Sequence, residues 1–192
     1  INRLAKNGQR YLYYTVTESI ERDLPVELAL LPFIESQFDP YAQSSTGASG
    51  IWQFILSTAR EQKLKKNWWY DGRRDIVAST DAAYNYLTKL HKKYDDWLLA
   101  IAAYNAGPNR ILKEIKKNKA KGLPTDFWSL KLPNETKTDV PKLLALLEVI
   151  KNPDKFSVVI PNLPNRPYFQ LVTLPSQVDL MQVANISGLK LE

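Results

Sequence analysis

Val26 to Ser36 reads V-E-L-A-L-L-P-F-I-E-S, and residues 37–54 after it read Q-F-D-P-Y-A-Q-S-S-T-G-A-S-G-I-W-Q-F. The first stretch is an apolar run with helical spacing. The second is a loop of small, hydroxyl-bearing and aromatic residues. Leu28, Leu31 and Glu35 fall at i, i+3 and i+7, so they share one helical face. The Glu35 carboxyl is therefore aimed at apolar surroundings. Desolvation disfavours its ionised form and raises its pKa, as a general acid near neutral pH requires. A lone Glu at a helix end usually turns to solvent, because carboxylates are seldom buried. The character of the loop that follows favours the buried acid.

Working outward, residues 2–22 read as one helix, with Leu4, Tyr11, Val16 and Ile20 on its apolar positions. Pro25 opens the Glu35 helix, where a first-turn proline is tolerated. Pro32 is expected inside that helix, kinking it just before Glu35. Gly47 and Gly50 mark positive φ or a close backbone approach. Ser57 or Thr58 is expected to cap a short helix running to about Lys65. Asp75 is expected to cap a long amphipathic helix that ends near Tyr94. The run W97-L-L-A-I-A-A-Y-N-A106 is apolar on nearly every face and so should be buried. Gly107 stops it, and Pro108 starts a basic helix. A further helix covers about 135–151, with Pro141 inside it.

After Asn152 the pattern changes. Ser157–Ile160 (SVVI) and Tyr168–Thr173 (YFQLVT) flank the proline-rich 161–167, which predicts a β-hairpin. A short helix is expected near 179–185. The fold class expected is mainly α, with a helical domain over 1–151. Residues 152–192 form a C-terminal extension of hairpin and short helix.

The chain has 192 residues, 44% of them hydrophobic, which is enough for one core. There is no Cys, so disulfides and thiolate metal ligands are excluded, and His91 is the only His. A His-based triad or His-rich metal site is not expected, and neither is a cofactor. The net charge of +6 favours anionic partners such as nucleic acid, anionic lipid or an acidic cell-wall polymer. The excess sits in K63-L-K-K66, K89-L-H-K-K93 and 113–121, each of which also reads as a solvated helix face. No nucleic-acid reading motif is present, so nucleic acid is not an expected partner. No apolar run reaches the ~20 residues that span a bilayer. The chain opens on Ile1, which reads as a piece of a longer precursor from which an export signal could have been removed.

The loop after Glu35 supplies Ser44, Ser45, Thr46, Ser49 and Gln53, with Phe38, Tyr41, Trp52 and Phe54 among them. Hydroxyls and amides can meet sugar OH groups, and rings can stack on sugar CH faces. Many ordinary surface loops share this mixture. Tyr104 and Asn105 end the apolar helix, either as satisfied core polars or as groove residues.

Together these residues carry a resemblance. E35-S-x-F-x-P-x-A-x-S-x-x-G-A-x-G-x-W-Q-F54, then A103-Y-N-A-G107, then L132-P-x-E-T136 resembles the lytic murein transglycosylases with a soluble-transglycosylase domain. R73-R-D75, V140-P-K142 and N165-R-P-Y-F169 extend it over nearly the whole chain. The resemblance implies a lysozyme-like helical domain with a glycan groove. It implies non-hydrolytic cleavage between N-acetylmuramic acid and N-acetylglucosamine, leaving a 1,6-anhydromuramoyl end. Glu35 matches the catalytic acid. Ser44, Thr46, Gln53, Phe54, Tyr104, Asn105 and Glu135 match substrate-binding positions. The partner implied is a peptidoglycan glycan strand, met by a monomer in the periplasm of the bacterial envelope. Membrane attachment would come only through a lipid anchor outside this chain. Two departures stand out: Ile55-Leu56 replaces the family's Met-Pro, and Asp139 replaces a Tyr before V-P. The alternatives are a hydrolytic muramidase, which needs a second carboxylate from Asp39, Asp71, Asp75 or Asp139, and a non-catalytic wall-binding domain.

Overall fold

The computed structural model describes residues 2–174 and 176–188. α1 (Asn2–Gly8) and α2 (Leu12–Glu21) lead through a 3-10 turn (Val26–Leu30) into α3 (Leu31–Ser36). A long loop then reaches α4 (Leu56–Glu61). α5 (Ile76–Tyr94), α6 (Trp97–Ala106), α7 (Pro108–Ala120) and α8 (Asn134–Lys151) follow, and α9 (Leu180–Ser187) closes the described chain.

The core is built around α6. Leu99, Ala100, Ile101, Ala102 and Ala103 are all buried, and the helix packs against α5, α7 and α8. A helix that is apolar on every side has no face to give to water, so it takes the centre. Its C-terminal end is closed where the sequence predicts, and its N-terminal end by a cap that the sequence reading did not name. Asp96 accepts from the Leu99 N–H at 2.9 Å, and Gly107 leaves the helix at φ 88°. Pro108 begins α7 at once. α5 is capped by Asp75, which accepts from the Ala78 N–H at 2.9 Å. The buried Tyr84 of α5 donates its hydroxyl to Thr15 O at 2.7 Å and so ties α2 down. His91, also on α5, stacks on Trp97 with ring centroids 4.0 Å apart.

Several boundaries differ from the sequence reading. The expected helix over 2–22 is broken at residues 9–11. Gly8 lies against the Phe38 ring, where an added Cβ would come within 3.4 Å. The Glu35 helix is not continuous and kinked. A 3-10 turn ends at Leu30, and Pro32 sits in the first turn of a new helix, where its missing N–H breaks no bond. α4 begins at Leu56 with no side-chain cap, so neither Ser57 nor Thr58 serves as one. It ends at Glu61, and Lys63 at φ 62° turns the chain away.

The C-terminal hairpin is absent: among the described residues there is no strand, only isolated bridges at 43–49, 49–54 and 66–71. Residues 157–174 have the β-branched content of strands. However, Pro161, Pro164 and Pro167 remove backbone donors between them, and Val159 and Val172 lie exposed with no sheet face to cover. The segment rests instead on α2 and its approach. Phe169 meets Tyr14 at 5.4 Å, and Arg10 lies over the Tyr168 ring at 5.5 Å. The short terminal helix is present, capped by Asp179.

Candidate active site

Glu35 is the penultimate residue of α3. The chain turns sharply after it because Gln37 and Phe38 both take left-handed backbone conformations, at φ 57° and 60°. Non-glycine residues rarely do this twice in succession. The turn is held from several sides. Gln37 N–H donates to Phe33 O at 3.0 Å and Phe38 N–H to Pro32 O at 3.2 Å. Asn7 of α1 donates to Gln37 O at 3.0 Å, and the Phe38 ring is buried in the core. Ser36 Oγ lies 2.9 Å from Ile51 O and 3.1 Å from Pro32 O, tying the end of α3 to the far side of the loop.

Glu35 keeps part of its surface exposed. Among the described residues no group donates a hydrogen bond to its carboxyl. Burial pushes its pKa up to about 8, and the nearby charges of Asp139 and Glu135 push the same way. Each influence disfavours the anion. Tyr104, at the end of α6, feels the Glu35 charge. Burial first, and that charge second, raise its hydroxyl well above the usual tyrosine value. Tyr104 donates to Trp52 O at 2.7 Å. Phe54 is buried, its ring centroid 5.8 Å from that of Tyr104 in an edge-on arrangement, so it supports that ring from within the core.

The loop is a tight structure. Ser44 N–H donates to Ala48 O at 3.0 Å, and Ala48 N–H donates back to Ser44 Oγ at 3.0 Å. Thr46 Oγ1 stands 2.9 Å from Ser44 Oγ. If Thr46 donates in that pair, the Ser44 proton is left for a ligand. Gln53 ties its side-chain nitrogen to Gly50 O at 2.8 Å and Ala42 O at 3.3 Å. Gly50 is required twice over. Its φ is 83°, and a Cβ there would fall 1.8 Å from Arg73 O.

α8 contributes the opposite carboxylates. Glu135 is exposed in its first turn, and Asp139, one turn on, pairs with Lys142 at 3.0 Å. Thr136 donates to Asn105 Oδ1 at 2.6 Å, joining α8 to the end of α6. Glu35, Tyr104, Glu135 and Asp139 are thus brought into one electrostatic neighbourhood. Ser44, Thr46 and Gln53 belong to the loop that Ser36 anchors.

Sequence reasoning missed Arg73 as the member that holds this loop in shape. Its buried guanidinium donates to Gly47 O at 2.7 Å and to Phe54 O at 3.1 Å. Asp71 takes its remaining donors, the shortest at 2.6 Å. That pairing holds the Asp71 carboxyl down at about 2. The only signal was the R73-R-D75 motif, which says nothing of a reach back to residues 47 and 54. Nearby, Arg74 donates to Ser49 Oγ at 3.1 Å.

Comparison with known proteins gives the class. Residues 13–126 match the transglycosylase SLT domain, and the chain belongs to that family. It is 48% identical over 183 residues to membrane-bound lytic murein transglycosylase D of Escherichia coli (strain K12), covering 95% of this chain and 40% of that protein. The chain therefore spans about two fifths of that relative's length. A putative tributyltin chloride resistance protein of Alteromonas sp. (strain M-1) is 43% identical, covering 82% of this chain and 76% of its own length. Among solved structures, an inactive mutant of the lytic transglycosylase Slt from Pseudomonas aeruginosa superposes with a TM-score of 0.51 at 24% identity. That match covers 76% of this chain and 24% of the other, and it speaks for the fold alone.

Proposed function

We propose that this domain cleaves the β-1,4 bond between N-acetylmuramic acid and N-acetylglucosamine in peptidoglycan without water, using Glu35 as acid and then base. The observation that carries this reading is the carboxyl of the partly exposed Glu35, free of hydrogen-bond donors and held up at about 8. Such a group is largely protonated at pH 7 and can give its proton to the leaving glycosidic oxygen. The substrate's 2-acetamido oxygen would then stabilise the cationic sugar. The Glu35 carboxylate formed in that step would take the proton from the sugar's own 6-hydroxyl as it attacks the anomeric carbon. The 1,6-anhydro ring closes and no water is consumed.

Ser44 would orient the acetamido group with its free proton, and Thr46 would fix the Ser44 rotor. Tyr104, Asn105, Gln53 and Glu135 would line the groove, with Phe54 supporting Tyr104 from below. Family membership and the likeness to the Escherichia coli enzyme support a peptidoglycan substrate and action in the bacterial envelope, on its periplasmic side. Among the described residues, no helix is long and apolar enough to cross a membrane.

A second reading, hydrolysis, is favoured by one observation. Asp139 and Glu135 are close enough for their charges to act on Glu35, and a second carboxylate could activate water. Family membership favours the first reading. The catalytic assignment is tested by Glu35→Gln, which removes the transferable proton and keeps the shape. The variant should release no soluble fragments from purified sacculi. Wild-type release would overturn the role of Glu35.

A further inference from the structure

Between α4 and α5 the chain holds three aromatic rings in succession, and the site described above uses none of them. Trp68 and Trp69 are 83% and 85% exposed, with ring centroids 4.1 Å apart. Adjacent large rings this open form a contiguous exposed apolar patch, the kind of surface that marks an interaction site. Asn67 Oδ1 accepts from the Trp69 N–H at 2.9 Å and the Tyr70 N–H at 2.8 Å. Asn67 N–H donates to Tyr70 O, and Gly72 N–H to Lys65 O, both at 2.8 Å. Tyr70 donates its hydroxyl to Asp75 at 3.0 Å. The rings are therefore presented to solvent by a hydrogen-bonded turn.

They line an open hollow of about 670 Å³. Its other walls include Tyr41, 75% exposed, and Gln43, both in the loop that carries Ser44. Asn67 and Arg74 add polar contacts. The charged lining is Lys66, Arg73 and Arg74 against Asp71 and Asp75, three cations to two carboxylates, leaving one net positive charge.

We propose that this hollow is a second carbohydrate-binding surface, which takes a stretch of peptidoglycan glycan strand outside the cleavage site. The proposal rests on the peptidoglycan reading and extends it to how the strand is held. Flat rings spaced among amide side chains suit N-acetylated hexosamines, whose CH faces stack while their amides and hydroxyls bond. The surplus cation suits the carboxylates of the strand's lactyl and peptide groups. A membrane surface fits less well, because the hollow is concave and carries two carboxylates that an anionic bilayer would repel. Continuity through Tyr41, Gln43 and Ser44 would let one strand pass from this surface toward the site.

The test compares Glu35→Gln with the same protein carrying Trp68→Ala and Trp69→Ala, by co-sedimentation with purified sacculi. Two lost stacking rings should weaken binding about tenfold or more. The melting temperature should not move, because both rings are exposed. With Glu35 intact, Trp68→Ala/Trp69→Ala should cleave a soluble tetrasaccharide fragment at the wild-type rate and release less from sacculi. Unchanged sacculus affinity would overturn the proposal. So would a loss confined to anionic lipid vesicles, or one explained by a change in oligomeric state in sedimentation. If the wild type released nothing from sacculi yet bound them through Trp68 and Trp69, the catalytic reading would fail and this surface would stand.

Discussion

Glu35→Gln should make the protein more stable at neutral pH, and the gain should depend on pH. An ordinary Glu titrates at 4.5, and burial with its two acidic neighbours carries Glu35 to about 8. Between those values the folded protein keeps a proton that the unfolded chain releases. Stability of the wild type therefore falls as pH rises from about 4.5 and levels off above about 8. At pH 7 the gap is about 2.5 pH units, worth roughly 3 kcal/mol at about 1.36 kcal/mol per unit. The side chain keeps some accessible area, so screening by water should reduce this to about 1–3 kcal/mol. Gln has no proton to lose and escapes the cost. For a domain of this size the variant should melt about 3–8 °C higher at pH 7–8. The two proteins should melt together near pH 4.5. Thermal and urea melts of both across pH 4.5–9 provide the assay. Parallel stability at every pH, or a wild type that is the more stable at pH 8, would refute the buried, proton-holding acid.

Other perturbations probe the neighbours. Asp139→Asn removes a charge that raises the Glu35 pKa, so the alkaline limb of the pH–rate profile should move to lower pH; an unmoved limb would separate the two residues. Asp139→Tyr, restoring the ring expected by resemblance, should raise turnover of sacculi if that aromatic belongs to the groove. Ser44→Ala should slow turnover by about a hundredfold, on the order of 3 kcal/mol, while glycan affinity changes less; wild-type kinetics would remove Ser44 from the mechanism. Gly50→Ala puts a methyl 1.8 Å from Arg73 O at a φ of 83°, so it should lose at least about 2 kcal/mol of stability in urea melts.

The helical frame was legible because its signals are local. Asp75, Gly107 and Pro108 announce helix ends, and the unbroken apolarity of 97–106 announces burial. Glu35 was legible for the same reason, as a polar residue on an apolar face. What could not be read depends on distant partners. Pro32 is compatible with either a kink or a fresh start, and only the 3-10 turn before it decides. The β-branched runs after Asn152 have strand propensity but no face to cover, and their prolines interrupt pairing. Arg73 reaches 26 residues back to Gly47, a distance no spacing rule encodes. The influence of Asp139 and Glu135 on Glu35 spans about a hundred residues of chain and appears only once α8 packs against α3.

The central claim is that the nucleophile is the substrate's own 6-hydroxyl. Digestion of purified peptidoglycan in ¹⁸O-labelled water, followed by mass spectrometry of the released muropeptides, tests it most directly. The account predicts fragments that carry no label, are one water lighter than muramidase products and have no reducing end for borohydride. Labelled, reducible muramic acid ends as the main product would contradict it and would assign water activation to Asp139 or Glu135.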